Sequence, residues 1–344
     1  MLHRTGCQFL IAVLSQIMIE SSLMSKSPVV AEEWVGHEFM AKPAATFLLD
    51  GITVPHTNID APFTVSKVEG NRLWVGEAWI NKDEVVPVAD AATFYTEYLR
   101  KHPSDAWGYM NRGLAWAAVG NCDNAITDYT KAIRLDSKYA IAYYNRGNCW
   151  ADKGEFDKAI KDYTKVIQLD PKDAVAFNNR GVTWAGAGEL DKAIQDYSKA
   201  IWLDSQFAYA YSNRGSIWNI KREYAKAVND YAEGIRLDSQ DVSACNEFAW
   251  LLATCPETVF RDGLDAVILG ENLCELSEWK EAGYINTLAA AYAEFGDFDQ
   301  AVKYQKRCIE QLYKDVDKDE YTERLKLYGE GKPYHEARGD GKRE

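Results

Sequence analysis

A short signature returns along the chain every thirty-four residues. The segments MNRGLAW, YNRGNCW, NNRGVTW and SNRGSIW begin at Met110, Tyr144, Asn178 and Ser212. Asp-Tyr pairs and Leu-Asp pairs recur at the same interval. Each unit divides into two amphipathic segments around a turn such as Gly154-Glu155-Phe156-Asp157. The period therefore predicts an array of helical hairpins, each covering the apolar face of its neighbour.

One unit carries the residues of a family resemblance: Tyr143, Gly147, Trp150, Gly154, Phe156, Ala159, Tyr163 and Pro171. Their types and spacing resemble the tetratricopeptide repeat (TPR) family. The resemblance implies antiparallel helix pairs in a right-handed superhelix whose concave groove is lined by the first helix of each pair. The units begin at Ala106, Ala140, Ala174, Ala208, Val242 and about Ala282, and the fifth carries an insertion between Thr254 and Gly263.

The region before the repeats has a different pattern. Short β-rich runs at 63–68, 73–75 and 78–80 are joined by turn residues. This region resembles a bacterial SH3-like barrel, with Trp74 and Trp79 either on a surface that binds a peptide or a cell-wall ligand or in the barrel core. The predicted fold class is therefore mostly α: a TPR superhelix of about six repeats with capping helices, preceded by a small all-β SH3-like barrel.

Domain boundaries follow from these patterns. The apolar run near the N-terminus and the small residues at 29–31 predict a signal peptide. The mature chain would then be exported to the periplasm or cell envelope, and without a signal it would be cytoplasmic. The predicted domains are a signal peptide at 1–31, the barrel at 32–89, a capping helix at 90–105, the TPR array at 106–316, a capping helix at 317–330 and a flexible tail at 331–344.

Charge and cysteine content narrow the function classes. The 344-residue chain has a formal net charge of −13, which disfavours nucleic acid and anionic membrane surfaces as partners. No segment of the mature chain approaches the length of an apolar membrane span. The six cysteines after Cys7 form no close pair and mostly stand at small apolar positions, which favours buried thiols over disulfides.

The geometry of an α-helix shows in which direction each recurrent residue of a unit points. At about 100° per residue, Gly113 and Trp116 fall on the same side as Tyr109, the core side. Asn111 points away from it. The TPR resemblance places that direction on the groove, so that Asn111, Asn145, Asn179 and Asn213 would form a ladder of carboxamides that bonds the backbone of an extended peptide. The alternative is bonding to adjacent helices or solvent.

The remaining groove positions are mainly apolar. They are Trp107, Leu114, Ile141, Asn148, Val175, Val182 and Tyr209. Other members of the family that this sequence resembles bind a C-terminal carboxylate with Lys and Arg residues in the groove. The groove positions of this chain lack Lys and Arg. An extended or amphipathic segment is the predicted ligand. The recurrent Arg112, Arg146, Arg180 and Arg214 are expected to pair with the recurrent aspartates of the second helices, which fixes register.

Catalytic and metal-binding signatures are missing from the sequence. The histidines have no metal-ligand spacing, and there is no nucleophile elbow, P-loop or dinucleotide fingerprint. We therefore expect no enzyme activity, no cofactor and no metal site. The predicted function is a protein-protein interaction adaptor that binds an unidentified protein or peptide. Two alternatives are an envelope protein whose barrel binds cell-wall glycan or peptide, and a self-assembling structural protein.

Overall fold

The computed structural model describes residues 38–43, 45–49, 52–55, 63–69, 71–76, 78–312 and 317–337. The predicted signal peptide at 1–31 lies outside them. The described residues form two compact units, an N-terminal unit that ends at Asp196 and a C-terminal unit that begins at Tyr197.

In the described part of the N-terminal unit, eight short strands form two sheets. They are β1 (Glu38–Ala41), β2 (Thr46–Leu49), β3 (Ile52–Pro55), β4 (Phe63–Thr64), β5 (Lys67–Glu69), β6 (Arg72–Trp74), β7 (Trp79–Asn81) and β8 (Val85–Pro87). One sheet has the order β4-β1-β8 and the other β3-β2-β7-β6-β5, and neighbouring strands are antiparallel. Phe39, Val65, Leu73 and Ile80 fill a small core between them. This is a small two-sheet β region, and its SH3-like character stays a prediction.

Fourteen helices follow among the described residues. They are α1 (Val88–Lys101), α2 (Ala106–Ala118), α3 (Cys122–Leu135), α4 (Ala140–Asp152), α5 (Phe156–Leu169), α6 (Ala174–Gly186), α7 (Leu190–Leu203), α8 (Ala208–Ile220), α9 (Tyr224–Leu237), α10 (Val242–Thr254), α11 (Gly263–Leu276), α12 (Ala282–Phe295), α13 (Phe298–Gln311) and α14 (Asp319–Gly329). The six first helices of the predicted hairpins are α2, α4, α6, α8, α10 and α12. The mostly α fold class is confirmed.

The glycine of the repeated signature allows close helix packing. A Cβ added to Gly113 would lie 2.5 Å from Cε1 of Tyr129, a buried residue of α3. The same relation joins Gly147 to Tyr163 and, in the C-terminal unit, Gly215 to Tyr231. The signature glycine therefore lies on the core side of its helix, as the helical wheel predicted.

The signature tryptophans pack at the border of the core. Trp150 lies against the apolar cluster of the N-terminal unit, and Trp218 lies against that of the C-terminal unit. A lysine of the following second helix covers each ring: Lys158 lies 4.3 Å from the centroid of Trp150, and Lys226 lies 4.3 Å from that of Trp218. Their outer faces are therefore covered by cations rather than offered to a ligand.

The signature arginines form the predicted ion pairs. In the N-terminal unit, Nε and Nη2 of Arg146 donate to the two carboxylate oxygens of Asp162 at 2.8 and 2.7 Å. Its Nη1 donates to Oγ1 of Thr130 at 2.9 Å. Because Thr130 belongs to the second helix of the preceding hairpin, one guanidinium holds two hairpins in register. The same arrangement is built on Arg112 and Arg180, and in the C-terminal unit on Arg214.

The insertion of the fifth hairpin lies between α10 and α11. It contains a 3-10 turn at Thr258–Phe260. Arg261 follows the turn and donates from Nη1 to the carbonyl oxygen of Cys255 and from Nε to Glu294, both at 2.8 Å. These bonds fix the inserted turn against the C-terminal end of α12.

The predicted flexible tail covers 331–344, of which 332–337 follow α14 without regular secondary structure. These described residues contact α10 and α12, with Glu336 N–H donating to the carbonyl oxygen of Thr254 at 2.9 Å. The sequence pattern did not predict these contacts. Residues 338–344 lie outside the described part of the chain.

All six cysteines of the described residues are free thiols, and five of them are buried. Burial raises the pKa of the Cys245 and Cys274 thiols to about 12 and that of Cys308 to about 11.

Because the thiolate is the reactive form, we expect these three thiols to resist Ellman's reagent at pH 8 in the folded chain and to react after denaturation. The assay uses a Cys7→Ser variant, with half-buried Cys122 as the internal reactive control. Equal reaction rates for all thiols of the folded chain would contradict the prediction.

Candidate functional site

The predicted groove positions lie on one side of the first helices, here called the front face. Along α4 they are Ile141, Asn145 and Asn148, and along α6 they are Val175, Asn179 and Val182. Residues three, four and seven positions apart share one side of a helix, so each set forms a stripe along its helix. The two stripes belong to neighbouring first helices of the N-terminal unit.

The front face of α2 is largely closed. Asn111 is only 3% exposed, and its Nδ2 donates to the carbonyl oxygen of Trp107 within α2 at 3.0 Å. Leu114 is also buried. Trp107 is half-buried and makes edge-to-face contacts with Tyr95 and Tyr98 of α1. Of these three predicted groove residues, Asn111 and Leu114 are therefore closed to a ligand, and Trp107 packs against α1.

A chain of hydrogen bonds crosses the front face from α5 to α6. The Tyr163 hydroxyl donates to Oδ1 of Asn148 at 2.6 Å. Nδ2 of Asn179 donates to the Tyr144 hydroxyl at 2.7 Å, and Nδ2 of Asn178 donates to Oδ1 of Asn179 at 3.2 Å. Burial raises the pKa of Tyr144, which keeps this hydroxyl neutral at physiological pH. The amide of Asn179 is therefore held in a fixed orientation.

Exposed apolar side chains lie beside this fixed amide. Val175 is 45% exposed and Val182 is 47% exposed, one on each side of Asn179 along α6. The two bonds of Asn179 use one donor hydrogen and one acceptor lone pair, and a carboxamide has two of each. Within the described part of the chain, one donor hydrogen and one acceptor lone pair of the Asn179 amide thus remain unused.

The other ladder positions have different surroundings. In the N-terminal unit, Nδ2 of Asn145 points at the Met110 sulfur, 4.0 Å away, and Ile141 packs against the apolar cluster. In the C-terminal unit, Tyr209 is exposed and Asn213 is half-buried on the front face of α8. The four asparagines therefore do not form a uniform ladder, and Asn179 has the most defined setting.

The recurrent residues did not predict that Tyr144 and Tyr163 belong to this hydrogen-bond network. Tyr144 stands where the other NRG units carry Met110, Asn178 and Ser212, so the signal for it was a departure from the repeat. Tyr163 belongs to a recurrent Asp-Tyr pair, and the repeat pattern predicts no bonding role for its hydroxyl. Its hydroxyl, at the far end of the buried ring, reaches the front face through Asn148.

The two tryptophans of the β region lie on adjacent strands. Trp74 of β6 pairs with Trp79 of β7, and Trp74 also faces Lys67 of β5. Trp74 is half-buried. The side chain of Trp79 lies outside the described residues. Ligand binding by either tryptophan stays a prediction.

None of the helices that the structure describes has the length and apolar character to cross a membrane. The described residues contain no group of three or more His, Cys, Asp or Glu side chains arranged around a possible metal ion.

The paired helices and the glycine contacts define a class, the helical-repeat protein. Tetratricopeptide repeat models match residues 140–173 and 282–310, and a TPR model matches residues 113–149 and 187–217. The chain therefore contains tetratricopeptide repeats, as the sequence predicted.

Several solved structures are similar to parts of this chain. The Cut9–Hcn1 hetero-tetramer of APC/C matches with 15% identity and a TM-score of 0.56, over 69% of this chain and 46% of that chain. The crystal structure of MamA matches with 26% identity and a TM-score of 0.42, over 44% of this chain and 89% of that chain. YrrB, a TPR protein described as having an unusual peptide-binding site, matches with 20% identity and a TM-score of 0.41, over 63% and 100%. No curated protein sequence matches significantly.

Proposed function

We propose that the N-terminal unit binds an extended peptide segment of another protein on the front face of α4 and α6. The observation that carries the proposal is the oriented amide of Asn179 between the exposed side chains of Val175 and Val182. A fixed amide flanked by apolar side chains suits a ligand that offers backbone N–H and C=O groups together with apolar side chains.

The expected affinity is moderate. Covering the exposed part of each valine contributes about 1 kcal/mol. Each net hydrogen bond to a carboxamide contributes about 0.5–1.5 kcal/mol. Because the amide of Asn179 is already oriented, binding loses little side-chain entropy there. Backbone recognition by an amide also tolerates many side-chain sequences, which fits an adaptor.

The proposal predicts a loss of binding when the front face carries charge. Peptides that bind the full-length chain are first selected from a displayed random dodecapeptide library, and their affinity is measured by fluorescence anisotropy. The Val175→Lys/Val182→Lys variant is expected to bind them at least ten-fold more weakly, because each lysine places a hydrated charge on the apolar contact surface.

The matched control is Leu135→Lys, an apolar-to-lysine change at an exposed residue of the second helix α3. It should leave the affinity unchanged. Asn145→Ala/Asn179→Ala should also weaken binding if the amides contact the ligand backbone. Equal affinities for the wild type, the double lysine variant and the control would contradict peptide binding at this face.

Two finer interpretations stay predictions. They are the SH3-like nature of residues 32–89, with a cell-wall ligand, and export by a signal peptide. Neither is needed for peptide binding by the N-terminal unit.

A further inference from the structure

The C-terminal unit has its own front face, on α10 and α12. Trp250 of α10 stands at the repeat position of Asn148 and Val182. Thr254 and Glu294 are each the thirteenth residue of their helices, α10 and α12, a position that continues the front-face stripe. These three residues therefore lie on the front face of the last two hairpins.

Three consecutive residues of the chain's own tail cover that face. Glu336 accepts a hydrogen bond from Nε1 of Trp250 at 2.8 Å through its side chain, and its backbone N–H donates to the carbonyl oxygen of Thr254 at 2.9 Å. His335 pairs with Glu294 through Nε2 at 2.6 Å. The ring of Tyr334 lies 6.1 Å from that of Trp250, centroid to centroid.

The contacts alternate along the tail. Tyr334 and Glu336 reach Trp250 of α10, while His335 between them reaches Glu294 of α12. Side chains that alternate between two sides are typical of an extended peptide. The backbone bond from Glu336 also satisfies a carbonyl oxygen in the last turn of α10, which has no partner within its own helix.

The aromatic position of this segment is enclosed. Arg324 of α14 is only 6% exposed, and its guanidinium carbon lies 5.7 Å from the ring of Trp250 and 5.4 Å from that of Tyr334. Tyr334 also packs against the apolar cluster around Tyr328. Trp250, Arg324 and Tyr328 together form a pocket for an aromatic ring.

We propose that Tyr334–Glu336 is an intramolecular ligand of this front face, and that a protein partner binds there by replacing it. The partner is an extended segment with an aromatic residue two positions before a carboxylate and a cationic or imidazole side chain between them. The site rests on the proposed function only in assigning peptide binding to the front face of first helices. It uses different residues in a different unit.

The tail competes with such a partner as a tethered ligand. A segment joined by a short connection has an effective concentration in the millimolar range, so a free peptide must displace it. Weakening the tail therefore opens the site, and a peptide copy of the tail should then bind from solution.

The test uses a fluorescein-labelled peptide of residues 331–337 and the full-length chain, with binding followed by anisotropy. The Tyr334→Ala/Glu336→Gln variant is expected to bind the peptide at least ten-fold more tightly than the wild type. A peptide with alanine at the Tyr334 position should lose this binding. Adding Trp250→Leu to the variant should abolish it.

Controls separate this site from the first. Circular dichroism melting curves check that each variant is folded, and Glu336→Gln alone provides a milder opening of the site. Val175→Lys/Val182→Lys should not affect binding of the tail peptide, whereas it weakens the peptides selected on the N-terminal unit. The proposal is overturned if the folded tail variants bind the peptide no better than the wild type, or if the alanine-substituted peptide binds equally well.

Discussion

Replacing Asp162 with alanine is expected to lower the free energy of unfolding of the N-terminal unit by about 3–5 kcal/mol. Asp162 is only 5% exposed and accepts two hydrogen bonds from Arg146. Without the carboxylate, the guanidinium stays in a mostly buried position with the Thr130 hydroxyl and no counter-charge. The cost comes from this uncompensated cation rather than from the loss of a favourable pair.

The measurement is urea denaturation followed by circular dichroism, with two comparisons. Glu233→Ala removes an exposed pair with Arg236 in α9 and should cost about 0.5 kcal/mol or less. Arg146→Met/Asp162→Leu removes both charges and should recover most of the stability, because apolar residues of similar volume replace buried ion pairs well. A loss for Asp162→Ala as small as that for Glu233→Ala would show that the pair is not needed for stability.

Replacing Gly263 with alanine is expected to destabilise the last two hairpins by about 3 kcal/mol. A Cβ at this first residue of α11 would lie 2.7 Å from Cα of Phe295 and nearer still to its backbone nitrogen. Because the obstacle is the backbone of α12 and not the end of a flexible side chain, the helices must separate. Glu294, which pairs with Arg261 and His335, lies at this contact.

Gly283→Ala is the matched control. It is the same substitution, near the start of α12, where an added Cβ meets nothing within 4 Å. We expect a gain of about 0.5–1 kcal/mol, because alanine loses less conformational entropy than glycine in a helix. Thermal unfolding and amide hydrogen exchange of α11 and α12 measure both effects. If Gly263→Ala melts with or above Gly283→Ala, the close approach of the two helices is not a constraint.

The repeat could be predicted from the sequence because the same packing residues occur in four successive units. The glycine against a tyrosine and the arginine against an aspartate each recur at a fixed spacing. One helical wheel therefore predicted the pairing of Arg146 with Asp162, which the structure shows. It placed the signature glycine on the core side but did not predict that Gly147 packs against Tyr163.

The front face was predicted less well, because a helical wheel gives the direction of a side chain but not its surroundings. Asn111 and Asn179 share one direction, yet Asn111 is buried and bonded within its own helix, whereas Asn179 lies among polar partners beside exposed valines. Tyr144, another member of the hydrogen-bond network, stands at a position where the residue type differs from unit to unit, so the repeat could not predict its role. Trp250 and Glu336 are 86 residues apart, and no period relates them.

The threefold bonding of each signature arginine has a consequence for the length of the array. The threonine or serine lies 16 residues before the arginine and the aspartate lies 16 residues after it, in all four cases. Removing or duplicating a whole thirty-four-residue unit therefore restores every one of these bonds at the new junction. Gene duplication can lengthen such an array without changing the residues that join neighbouring hairpins.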